Sequence, residues 1–196
     1  TGLSRGIFTW ESSSLSETVY SPDLSYVIYP ESEIKLVLRD VDNEKVVTYI
    51  NNNFPTIGQP VWLSSSAGFL VGLDISKPNM GGIQEELYQV SIDGSRKKLS
   101  NLLELGYRDV DIKEISVSHD DRFIAMLFYY SEGKRLAIID TQTQQIKSYC
   151  SIKKMLTFEP VWSPDVNQLL VYGSIDSEEN FGTMLIDVEK NTIGMI

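Results

Sequence analysis

Two chemically versatile side chains are nearly missing: the 196 residues hold one cysteine, Cys150, and one histidine, His119. A single thiol excludes an intramolecular disulfide, yet leaves the compartment open, because many exported proteins lack disulfides too. One histidine and one cysteine are too few for a zinc site. Long apolar runs are absent as well. No stretch approaches the roughly 18 residues that span a bilayer, so no membrane insertion is expected. The opening TGLSRGIFTW has neither an initiator Met nor a signal-peptide apolar region. It reads as a mature form or an excised piece, with any targeting segment out of view. A soluble protein is expected, in the bacterial periplasm or cell envelope if an upstream signal was removed, and otherwise in the cytoplasm.

Positive charge is also scarce. Lys and Arg total 17 against 27 Asp and Glu, a formal charge of −10, and the only basic cluster is Arg96-Lys97-Lys98. A nucleic-acid binder must neutralise phosphates, so this balance excludes a general one and suits a basic protein or peptide partner. Phosphate-binding and nucleophile motifs are missing: there is no Walker A sequence, no G-x-G-x-x-G and no G-x-S-x-G elbow.

What the chain does have is a repeat. The stretches VYSPDLSYVIY, PVWLSSSAGFLVGL, ISVSHDDRFIAMLFYY and EPVWSPDVNQLLVYG share an apolar lead-in, a Ser-containing turn and a β-branched or aromatic strand. Their serines, Ser21, Ser64, Ser118 and Ser163, lie 43, 54 and 45 residues apart. A second landmark follows each time, a strand, a polar turn and another strand. Its aspartates are Asp40, Asp93, Asp140 and Asp187, separated by 53, 47 and 47. Helical periodicity is weak, with residues 99–105 the best candidate for one turn. Units of this length with three or four short antiparallel strands predict β-propeller blades, which stack because one blade cannot bury both its faces.

Trp162-Ser163-Pro164-Asp165 before an apolar strand resembles the WSPDG motif of WD-repeat-like propellers of the TolB, tricorn and prolyl-oligopeptidase type. The first unit keeps Ser21-Pro22-Asp23 with Tyr20 for the Trp. The second keeps Trp62 without Pro-Asp, and the third has Ser118-His119-Asp120. The glycine of the motif is replaced by Leu24, Ser66 or Ala67, Asp121 and Val166. The resemblance implies an all-β propeller in one domain, 1–196, with approximate repeats 8–50, 51–102, 103–150 and 151–196. Such propellers usually carry six to eight blades, so three readings stay open: part of a larger propeller, a true four-bladed ring, or a half-ring that forms a homodimer. Residues 6–10 are the segment expected to complete the final blade in a closed ring.

Three sets of residues have the composition of a chemical site. Ser118-His119-Asp120 contains the residue types of a triad, but neighbours on one turn cannot adopt its geometry, and the repeat reads them as a blade turn. Met80-Gly81-Gly82 is a loop signal. Asp40, Asp42 and Glu44 alternate as oxygen donors but fall on a hairpin turn. No catalytic residue, cofactor or metal is therefore assigned. Asp23, Asp120 and Asp165 are expected to fix their turns, and Trp62 and Trp162 to pack between blades. Function is sought in connections that do not repeat, residues 74–86, 129–135 and 174–182. Asp74, Glu85, Glu86, Glu132, Asp176, Glu178 and Glu179 are expected to form an acidic face, with Tyr129, Tyr130 and Phe181 as aromatic anchors. The expected function is a non-catalytic scaffold that displays these loops to a protein or peptide partner. The alternatives are a propeller domain gating a prolyl-oligopeptidase-like hydrolase domain, and a TolB-like envelope protein.

Overall fold

The computed structural model describes residues 18–32, 34–51, 59–77, 82–149, 154–155, 160–174 and 181–196. Every regular element among them is a β-strand. The first antiparallel sheet takes β1 (Val19–Tyr20), β2 (Tyr26–Ser32), β3 (Lys35–Asp40) and β4 (Lys45–Asn51) in chain order. The second takes β5 (Val61–Trp62), β6 (Gly68–Asp74), β7 (Glu85–Ser91) and β8 (Arg96–Lys98). The third takes β9 (Asp111–Val117), β10 (Phe123–Tyr130), β11 (Gly133–Asp140) and β12 (Gln145–Ser148). In the fourth, β13 (Lys154–Met155) and β14 (Val161–Trp162) both pair with β15 (Gln168–Ser174), followed by β16 (Gly182–Asp187) and β17 (Thr192–Met195). Four meanders of this kind are four propeller blades.

Local chemistry sets the turns. Ser21 Oγ donates to Asp23 (2.7 Å) and accepts from the Tyr26 amide (3.0 Å). Ser118 repeats this with Asp120 (2.6 Å) and the Phe123 amide (2.8 Å). Leu24, Ser66 and Asp121 all have φ near +60°, the left-handed region where the motif's glycine would sit without cost. The third-to-fourth strand turns are fixed by the second landmark, as Asp40, Asp93, Asp140 and Asp187 accept backbone amides at 2.8–2.9 Å. One alignment shifts: the amide bonded back across the turn is that of Leu63, not Ser64, matching Ser21, Ser118 and Ser163. Residues 99–105 form a hydrogen-bonded turn, with the Leu105 amide on the Asn101 carbonyl (3.0 Å), rather than a helix.

Packing lies between blades. Ile28, Leu38, Phe69 and Val71 fill the seam of blades one and two, and Leu70, Leu87, Ile112 and Phe128 that of two and three. Leu127, Ile138, Leu169 and Met184 fill the seam of three and four. Trp62 and Trp162 join the first and third of these seams, as expected from their register. Every residue of β6 is buried, because this strand has a blade on each side. In β15 burial alternates instead over Leu169, Leu170 and Val171, because one face meets no neighbouring blade among the described residues. No described strand of blade one touches blade four, so the described blades form an open arc. The closing segment expected at residues 6–10 lies outside the described residues.

Candidate functional site

An up-and-down meander places the Ser turns and the landmark-Asp turns at one end of each blade. The second-to-third strand loops and the connections between blades lie at the other end. The three connections singled out in the sequence therefore share one face of the arc. Asp176, Glu178 and Glu179 lie outside the described residues. The other seven residues can be placed: Asp74 and Glu85 stand on the face of blade two that meets blade three, Tyr130 packs into that seam, and Tyr129, alternating with Phe128 and Tyr130, points to the other face of blade three.

Three expectations need correction. Asp74, Glu85 and Glu86 do not form an exposed acidic face; they are buried, Glu85 to 1% and Glu86 to 0% exposure. The reason is that each carboxylate meets backbone amides whose burial would otherwise be costly. Asp74 accepts from the amides of Ser76 (3.0 Å) and Gln84 (3.1 Å), closing the base of its own loop. Glu86 accepts from the amides of Leu102 (2.9 Å) and Leu103 (3.0 Å) and from the Ser100 hydroxyl, with Lys98 Nζ at 3.6 Å. It holds the 100–106 turn against β7.

Glu85 spans the seam. Its amide donates to the Val110 carbonyl (3.0 Å), and its Oε2 accepts the Ile112 amide (2.7 Å), so blade two grips the start of β9 at two points. Gly72 makes room for this: a Cβ there would lie 3.2 Å from Glu85 Oε2 and 3.3 Å from Ile112. Asp74 stands directly across the sheet from Glu85. Burial pushes the Glu85 carboxyl up to about 7; the Ile112 amide and Lys113 pull it down, and Asp111 and Asp74 add to the rise.

At the same end of blade three, the hairpin after β10 is exposed and Tyr129 before it is half-buried. Tyr129 is paired with Asp111 on one side and Lys134 on the other, and Lys134 Nζ lies 4.5 Å from its ring. Asp111 also bonds Lys113 at 2.5 Å. The Ser131 amide donates to the Arg108 carbonyl (2.8 Å), tying the Glu132 hairpin to the connection between blades. Glu104, Leu105, Arg108, Asp109 and Glu132 all reach solvent there. Tyr130 turns inward instead, edge-on to Tyr107 at 5.1 Å, and the Tyr107 hydroxyl reaches Ser148 (2.8 Å). Phe181 stacks on Tyr172 in blade four, 6.3 Å between ring centres. The sequence reading missed Glu104, Asp109 and Asp111, which belong to the connection before β9 and its first residue. Its own rule, that function sits in irregular connections, would have led to them. Ser118 and Asp120 bond each other within their turn, and His119 projects beside them into solvent.

The architecture is that of an all-β propeller with four blades. No protein-family model and no curated sequence matches the chain. Among solved structures it is similar to TolB from Acinetobacter baumannii, with 16% identity and a TM-score of 0.55 over 92% of this chain and 43% of that one. It is similar to the tricorn protease at 16% identity and TM-score 0.63, over 89% of this chain and 18% of that one. It is also similar to a structure from a study of two prolyl endopeptidases, at 13% identity and TM-score 0.66, over 91% of this chain and 27% of that one. These similarities show a propeller fold of that type. The chain spans less than half the length of each of these relatives.

Proposed function

We propose that the chain is a non-catalytic binding scaffold whose rim at the second and third blades receives a basic segment of a protein or peptide partner. The observation that carries this reading is the rim itself. Glu104, Leu105, Asp109 and Glu132 are exposed on two segments joined by the bond from the Ser131 amide to the Arg108 carbonyl, and Glu85 and Glu86 tie the connection before β9 to blade two. A pre-ordered acidic and apolar rim loses little entropy on binding. The buried carboxylates serve as its support and make no direct contact with the partner. A lysine-rich peptide titrated at several salt concentrations tests the reading. Glu104→Gln, Asp109→Asn and Glu132→Gln together are expected to abolish salt-sensitive binding. Unchanged affinity and salt slope would reject the rim as the binding surface.

A second reading is favoured by the likeness to a prolyl endopeptidase structure of which the chain covers 27%. The four blades would then belong to a propeller domain that gates a hydrolase domain. The longer reading frame discriminates: a downstream segment with a nucleophile elbow supports the gate, and one without it supports the scaffold. An upstream signal sequence would support a TolB-like envelope protein.

A further inference from the structure

The connection that carries Glu104, Leu105 and Asp109 is held at each end by one of two neighbouring glutamates of β7. Glu86 holds its start, taking the Leu102 and Leu103 amides and the Ser100 hydroxyl, with Lys98 Nζ at 3.6 Å. Glu85 holds its end, through the Val110 carbonyl and the Ile112 amide. Among the described residues the Glu85 carboxyl accepts one amide, and directly across the sheet stands a second carboxylate, Asp74. The first clasp offsets a negative charge and the second does not.

The closed seam also keeps water from Glu85. It is 1% exposed, and a Cβ on Gly72 would already lie 3.2 Å from Oε2 and 3.3 Å from Ile112. The charged groups around it are Asp74 on β6 and, on β9, Asp111 and Lys113, which bond each other (2.5 Å). Blade three adds Arg135, 5.5 Å from the ring of Tyr130, which packs into the seam. Arg108 turns back to the Leu103 carbonyl (2.8 Å), Asp109 lies against Gly82, and Lys77 in the loop after β6 is exposed. Burial, and then Asp111 and Asp74, raise the Glu85 carboxyl from 4.5 to about 7 against the pull of the Ile112 amide and Lys113.

We propose that Glu85 is a proton-operated latch on the rim. Protonated, it holds the end of the connection on blade two; ionised, it releases that end and weakens the grip on a basic partner. The regulation rests on the binding role proposed for the rim. Opening the seam hydrates the carboxylate and returns it to its ordinary value, so opening grows more favourable as pH rises. From pH 5 to 8 the opening equilibrium is multiplied about 70-fold. By reciprocity, a partner that needs the closed connection draws a proton onto Glu85. His119, the one histidine, lies on a Ser turn at the other end of its blade.

Hydrogen exchange at the Glu85 and Ile112 amides reads the latch without any partner, each rate divided by that of an unstructured peptide at the same pH. Opening is expected to rise about 70-fold from pH 5 to 8, while the Leu102 and Leu103 amides, held by Glu86, change far less. Affinity for a histidine-free, N-acetylated lysine peptide at fixed salt should fall over the same interval. Glu85→Gln should keep at pH 8 the protection and affinity that the wild type has at pH 5. Should that variant fail to fold, Asp74→Asn keeps an acceptor for the Ser76 and Gln84 amides and should end the rise at lower pH. Flat exchange in the wild type, or an equal rise at Leu102 and Leu103, overturns the latch even where salt-sensitive binding stands. Exchange that rises while affinity stays constant overturns its control of the rim. Absence of binding at every pH overturns the rim reading, and the exchange result still decides the latch.

Discussion

Leu24, Ser66 and Asp121 show how a side chain's surroundings decide the value of the same backbone angle. All three occupy the left-handed region, where an L-residue is strained by about 1 kcal/mol relative to glycine. Leu24 is 60% exposed, so Leu24→Gly sheds the strain and loses little packing. A gain of about 0.5 kcal/mol is expected in urea unfolding, the rest being offset by the entropy of a more flexible unfolded chain. Asp121→Gly should have the opposite sign. Its carboxylate receives the Ser64 (2.6 Å) and Ser65 (3.0 Å) amides of the preceding blade. Losing both should cost about 1–2 kcal/mol by the same measurement. The turns were legible in the sequence because their chemistry is local: a serine, an aspartate two residues on, and a strand. The Ser64 anchor misled by one residue, because the turn is registered by a backbone amide that any residue can supply. The acidic loop residues were misread for a related reason. The amides that bury Glu85 and Glu86 lie 27 and 16–17 residues away, and no local pattern reports them.

At the scale of elements, two neighbouring glutamates on β7 do different work. Glu86→Ala would leave the Leu102 and Leu103 amides unpaired and Lys98 without its partner. A loss of about 3 kcal/mol is expected, with amide exchange accelerating first over residues 100–106. Glu85 makes its seam sensitive to pH. A carboxyl raised from 4.5 to about 7 on folding keeps its proton in the native state after the unfolded chain has released its own. Its contribution is fully present below about pH 4.5 and declines as pH rises to about 7. The total effect is on the order of 3 kcal/mol. Asp187, held down to about 2 chiefly by its hydrogen bonds with Lys190, acts oppositely and loses its contribution as pH falls below about 4. Glu85→Gln retains an acceptor for the Ile112 amide, and its urea stability should show no decline between pH 4.5 and 7 beyond that of the remaining groups. A wild-type profile flat across that interval would show that Glu85 ionises freely in the fold.

For the whole molecule, the sequence made the number and order of blades visible, since repeating landmarks encode both. It could not show which apolar rows are covered, because Leu170 reads the same as Leu70. Coverage depends on whether another blade follows in space. One consequence is a gradient of protection. Amide exchange should be slowest in β6 and β10, which have blades on both sides, and fastest in β15–β17 at the bare end. Equal protection across all four blades in the single chain would contradict an open arc.

The bare row of Val161 and Leu170 also bears on how the chain is made. Nearly all pairing is within a blade or with the next one, so a blade can form as soon as its strands leave the ribosome. At each stage the newest blade presents this kind of row to the medium until its successor arrives. Blade four presents, in Val161 and Leu170, the kind of surface that blades one to three show only until the next blade packs on them. A chaperone that reads exposed apolar strands would therefore meet the same epitope at four successive lengths of nascent chain.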